Sequence, residues 1–172
     1  HDALARSAVE GHHGRVVKMI GDGMHAVFDD ARDALDATLD LQQALADPAA
    51  TCGVPLRVRC GLHAGLVERR DNDFFGSPVN RAARIMSAAH GGQMLLSQAV
   101  VDTVGPGLPT DVSLRDLGNV RLKDLATPEH VYQVVHRGKR GYVTAMVGSI
   151  AGASLSKLVL GDLAPDRAGH EM

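Results

Sequence analysis

Tryptophan is absent from this 172-residue chain, and aromatic residues as a whole make up only 3% of it. A core must therefore rest on Val, Leu, Ile, Ala and Met, which a chain that is 45% hydrophobic can supply. Cysteine occurs twice, at Cys52 and Cys60, with no CxxC and no Cys/His zinc spacing. That excludes a disulfide framework and a zinc ribbon, and a reduced, cytoplasmic setting is the expectation. Net charge is only -2, so there is no basic surplus of the kind a dedicated nucleic-acid binder needs. No long uninterrupted apolar run occurs. The most apolar stretch, YVTAMVGSIAGASLSKLVLG, is broken by Ser and Lys, so membrane contact is not expected of it. The opening HDALARSAVE is polar and mixed in charge, unlike a signal peptide. It also lacks an initiating Met, which is expected of a fragment, a processed product or a partial gene model.

The patterns that are present predict one α+β domain over residues 1–137 and a compositionally different tail over 138–172. Residues 2–13 read as a helix with Leu4, Ala8 and Val9 on one stripe. RVVKMI, Gly21-Asp22-Gly23 and MHAVF read as a β-hairpin. Asp29 or Asp30 caps a helix running to about Ala46, with Leu35, Thr38, Leu41 and Leu45 at helical spacing. LRVRCGLHAGLV reads as a strand in which Gly61 and Gly65 suggest a bulge or close backbone approach. Residues 69–77 read as a loop, and PVNRAARIMSAAH as a helix with Pro78 near its start. QMLLS is a strand, and Ser97 can cap a short helix to Val104. Strands near Val112–Leu117 and Val131–Val135 complete an αββαβαβαββ order, a sandwich of helices over a mainly antiparallel sheet.

Three segments could carry chemistry. Asp-Gly is a favoured hairpin turn, so Asp22 needs no role beyond the turn; yet a carboxylate at a hairpin tip can reach a cation. Lys18 interrupts an apolar strand, where an ammonium calls for a partner. Asn80 and Arg84, four apart, share a helix face while Val79, Ala82, Ala83 and Met86 form an apolar stripe. An amide with a guanidinium suits ribose and phosphate oxygens, although the same pair would also serve as a solvated face. Lys123 in RLKDL reads by itself as a surface lysine. His12, His13, His63 and His90 form no metal pattern, and Cys60 reads as a small core residue.

Taken together and in order, GRVVKMIGDGMHAVF, RVRCGLHAG, DFFGSPVNRAARI, HGGQMLLS and LGNVRLKDLATPEHVYQV resemble the class III adenylyl/guanylyl cyclase catalytic domain, over about residues 2–136. The resemblance implies a ferredoxin-like α+β fold acting as a homodimer, with active sites between subunits. It implies conversion of a nucleoside triphosphate to a 3′,5′-cyclic monophosphate and pyrophosphate, with two Mg2+ or Mn2+ ions. Residue by residue, Asp22 matches a metal aspartate, Lys18 and Asp73 the adenine-specifying pair, Asn80 the ribose-orienting asparagine, Arg84 the transition-state arginine, and Lys123 a lysine on the terminal phosphates. ATP is thus the expected substrate and cyclic AMP the product. One departure stands out. The family's first metal aspartate lies in an FTDIxGST-like segment on an N-terminal central strand, and no such segment occurs here. The expectations are a sheet short of its first central strand and a chain with little or no activity. The alternative is a non-catalytic, cyclase-like nucleotide-binding or regulatory module.

Overall fold

The computed structural model describes residues 2–21, 23–54, 56–71, 73–136 and, as backbone, 158–162. Asp22 and the remainder of the tail lie outside the described residues.

Helix α1 (Asp2–Gly11) buries Ala5 and Val9 and leads into strand β1 (Arg15–Ile20). Gly21, at φ 61°, turns the chain into β2 (Gly23–Val27), as the Gly-Asp-Gly signal predicts. Helix α2 (Ala31–Ala46) starts at Asp30, whose carboxylate accepts a hydrogen bond from the Arg32 amide at 2.6 Å. The predicted stripe of Leu35, Thr38, Leu41 and Leu45 is buried, and the Thr38 hydroxyl donates to the Ala34 carbonyl at 2.6 Å. His12 and His13 meet Asp40 and Asp33 of α2, at 2.7 and 3.1 Å, tying the end of α1 to its neighbour.

Strand β3 (Arg59–His63) is followed by a small ribbon, β4 (Glu68–Arg70) with β5 (Asp73–Phe75). The sequence reading made this stretch a loop. Its strands are three residues long and largely polar, too short to show an alternating pattern. Helix α3 (Ser77–Ala88) follows at once, with Pro78 in its first turn. Strand β6 (Met94–Ser97), helix α4 (Gln98–Val104) and the long β7 (Val112–Val120) and β8 (Glu129–His136) agree with expectation.

The main sheet runs β1-β2-β9-β3-β6-β8-β7, antiparallel except for the β3/β6 pair. Its β9 (Leu158–Asp162) belongs to the segment that sequence composition set apart. It lies between β2 and β3, antiparallel to both, with Asp162 opposite Gly23 on one side and Arg59 on the other. The central gap expected of a chain without an N-terminal first strand is therefore filled from the C-terminal side. Nothing in the composition of residues 138–172 signalled that role, because a five-residue strand lying between two others needs no period-two pattern.

Helix α3 packs closely on this centre because Gly61 has no side chain. A Cβ there would lie 2.2 Å from the Met86 amide nitrogen and 2.9 Å from the Ala82 carbonyl oxygen. Cys60, Leu62, Met94 and Leu96 fill the core beneath, fully buried, in keeping with the expectation for Cys60.

Candidate functional site

The strand β1 ladder slips between Val16 and Lys18, a bulge in the sense that one strand carries an extra residue. Beyond that irregularity Lys18 is exposed rather than buried. Its Nζ donates to Asp73 Oδ2 of β5 at 2.6 Å. The bulge and the β4/β5 ribbon thus bring together two residues 55 positions apart that the sequence reading had paired. Asp73 also accepts from the Phe74 amide at 2.8 Å. The Lys18 hydrogen bond, followed by the backbone one, holds the Asp73 carboxyl below its ordinary range. With 42% and 31% of the side chains exposed, the pair contributes little to stability. Opening it to admit a third group costs the fold correspondingly little.

The chain leaves Asp73 through Phe74, which is buried, and Gly76, at φ 126°, straight into α3. Asn80 sits on the exposed side of that helix, while Ala82 and Ile85 are buried. Arg84, one turn beyond Asn80, is half-buried, and its Nη2 meets Asp124 Oδ2 at 2.7 Å. Asp124 adopts φ 60° in the turn after β7, and its neighbour Lys123 is exposed. The structure therefore gathers Arg84 and Lys123 around one loop, and Lys18 and Asp73 around another, with Asn80 on the helix between them. Among the described residues no group of three or more His, Cys, Asp or Glu side chains is placed to hold a metal. Asp22 lies outside them.

Two features escaped the sequence reading. On α3, Arg81 Nη1 donates to Glu129 Oε2, a carboxylate that is only 8% exposed, so the helix is pinned to the start of β8. On β2, His25 stands directly opposite Lys18 in the ladder. It is 1% exposed, and its Nε2 is buried without a hydrogen-bond partner. Burial, and then the nearby Lys18 ammonium, lower its pKa from 6.5 to about 4, with Asp73 opposing. The imidazole is consequently neutral at pH 7. A strand position reading as core gave no hint of this; the signal was a polar residue at an inward position opposite a lysine. His63, expected to be structural, is buried and bonded through Nδ1 to Ser97 Oγ at 2.9 Å. Burial, with Arg81, lowers its pKa to about 4 as well. Ser97 precedes α4 but makes no side-chain cap there, because its hydroxyl is engaged with His63.

Comparison with known proteins bears on this arrangement. The sequence model of the adenylate and guanylate cyclase catalytic domain family matches residues 3–136. An uncharacterized protein of Mycobacterium tuberculosis is 41% identical over 137 residues, covering 78% of this chain and 46% of that protein. A putative adenylate cyclase of Rhizobium meliloti is 34% identical over 125 residues, covering 70% of this chain and 21% of its own length. The chain thus spans less than half the length of these curated relatives. Among solved structures, an adenylate/guanylate cyclase/hydrolase from Silicibacter pomeroyi superposes with TM-score 0.67 at 30% identity, covering 78% of this chain and 81% of the other. Adenylate cyclase from Trypanosoma brucei, in its monomeric state, superposes with TM-score 0.70 at 22% identity, over 84% and 80% of the two chains, a likeness of fold.

Proposed function

The chain belongs to the adenylate and guanylate cyclase catalytic domain family, and from that premise we propose that it is of the adenylyl type, binding ATP through Lys18 and Asp73. The observation that carries this reading is the exposed 2.6 Å contact between the two side chains. Adenine presents an amino donor at N6 and an acceptor at N1. Asp73 accepts from the first and Lys18 donates to the second. Guanine reverses both groups, leaving the carboxylate facing a carbonyl, at a cost of about 1–3 kcal/mol or roughly ten- to a hundredfold in affinity.

Asn80 positions the ribose. Arg84 sets a guanidinium against the charge that builds on the α-phosphoryl oxygens as the 3′-oxygen attacks and pyrophosphate departs. Lys123 takes the terminal phosphates. Asp22 is a hard oxygen donor, and Mg2+ or Mn2+ is commonly held by one or two carboxylates together with substrate phosphates. Asp22 would hold one such ion together with the substrate phosphates. When bound, the ion stabilises charge on the phosphate oxygens. The reaction site is completed in a homodimer, and the two cysteines, both free thiols, suit a cytoplasmic setting. No helix among the described residues is long and apolar enough to cross a membrane.

Direct competition of ATP against GTP for the chain tests the assignment; a preference for GTP overturns it. A second reading is nucleotide binding without turnover, in which Lys18 and Asp73 hold the base and no cyclisation follows. Cyclic AMP formation with Mn2+ and ATP at high protein concentration separates the two: robust turnover refutes the binding-only reading, and binding without product refutes the enzyme.

A further inference from the structure

The buried side of the Lys18–Asp73 pair holds a group that neither the fold nor the family assignment accounts for. His25 and Lys18 are directly opposed on an antiparallel ladder, so both side chains project from the same face, with Cβ atoms about 4.5–5.5 Å apart. Lys18 carries three N–H donors. One is used on Asp73, and a bound base takes a second. On the protein side, His25 Nε2 is a buried nitrogen with no hydrogen-bond partner. With its proton on Nδ1, a neutral imidazole presents a lone pair at Nε2, the group that a neighbouring ammonium favours.

We propose that His25 is a positioning residue for nucleotide selection: its Nε2 accepts from the Lys18 ammonium once a purine enters between Lys18 and Asp73, fixing the ammonium on the base edge. The inference rests on the reading of Lys18 and Asp73 as base-recognising. His25 does not itself touch the reacting atoms. Its effect falls on affinity and on base choice rather than on the chemical step. The charged groups that act on His25 are Lys18 and, in the opposite sense, Asp73.

The test uses the full chain with Mg2+ and two probes that cannot cyclise, 3′-deoxy-ATP and 3′-deoxy-GTP, measured by calorimetry. Two variants are compared. His25→Leu keeps the volume and removes the nitrogen; His25→Gln returns an acceptor at the same reach. The expected result is a tenfold loss of 3′-deoxy-ATP affinity and a shrunken preference over 3′-deoxy-GTP in His25→Leu, both largely restored in His25→Gln. A purely structural role would alter melting temperature in both variants and leave the selectivity ratio intact, and that outcome overturns the proposal. Should His25→Leu not fold, His25→Met takes its place as the variant without the ring nitrogen, and an unchanged selectivity ratio in it overturns the proposal. If the unmodified chain shows no preference for the adenine probe, the base-reading assignment fails and takes this inference with it. If the unmodified chain prefers adenine and His25→Leu does too, to the same degree, only the role of His25 fails.

Discussion

Acid should unfold this protein through two imidazoles before its carboxylates matter. His25 and His63 are both buried and neutral, with pKa lowered from 6.5 to about 4. In the unfolded chain each titrates near 6.5. Between those values the unfolded state binds protons that the folded state refuses. Stability therefore rises with pH through that window, is fully present above about 6.5, and is lost as pH falls toward 4. The gap for each residue corresponds to about 3 kcal/mol, so the two together are worth about 6 kcal/mol. Small domains have only about 5–15 kcal/mol in all, and the loss is therefore large enough to bring the protein near its unfolding midpoint. Asp73, Asp116 and Glu68 also have depressed carboxyl pKa values, through Lys18, the Gly118 amide and Arg70 respectively. Their contributions disappear below the ordinary carboxylate range, outside the histidine window. Urea denaturation at pH 7, 6, 5 and 4 reads the effect directly. The midpoint should fall steeply across this range and be nearly flat between pH 7 and 8. The double variant His25→Leu/His63→Gln should lose most of the slope. A wild-type midpoint that does not move between pH 7 and 4, or an unchanged slope in the double variant, would refute the argument.

Gly61→Ala should destabilise by about 1–3 kcal/mol or more, because the added carbon meets the main chain of α3 rather than a yielding side chain; thermal melting checks it. Arg81→Ala strands the buried Glu129 carboxylate and should cost about 2 kcal/mol, less than a fully enclosed pair because Arg81 is one-third exposed. The companion Glu129→Gln should be milder in the same denaturation assay. Arg84→Ala should leave the melting temperature within a degree or two, since its pairing with Asp124 is half in solvent. In any cyclic AMP formation the chain supports, the same change should lower kcat about a hundredfold or more.

Several parts of this molecule could be read directly from residue order. The helix of residues 31–46 announced itself through a cap at Asp29 or Asp30 and through its leucine spacing, whereas Gly61 signalled a bulge or a close approach without saying that a helix presses there. The Lys18–Asp73 contact was legible only through family resemblance, because no local pattern links residues 55 positions apart. The β4/β5 ribbon that delivers Asp73 was missed because three-residue strands have no period. His25 was missed for a different reason. A polar residue inside an apolar strand is unremarkable until the ladder shows what stands opposite it.

The position of β9 also governs how the protein can be made. Among the described residues no ladder joins β2 to β3, so within the sheet the β1/β2 hairpin is linked to the β3-β6-β8-β7 layer through Leu158–Asp162. During synthesis the facing edges of β2 and β3 stay open until residues 158–162 have emerged. Such distant pairing is slow to form. A nascent chain paused before that stretch emerges would offer two unsatisfied edges to any passing strand, a setting for wrong pairing between chains.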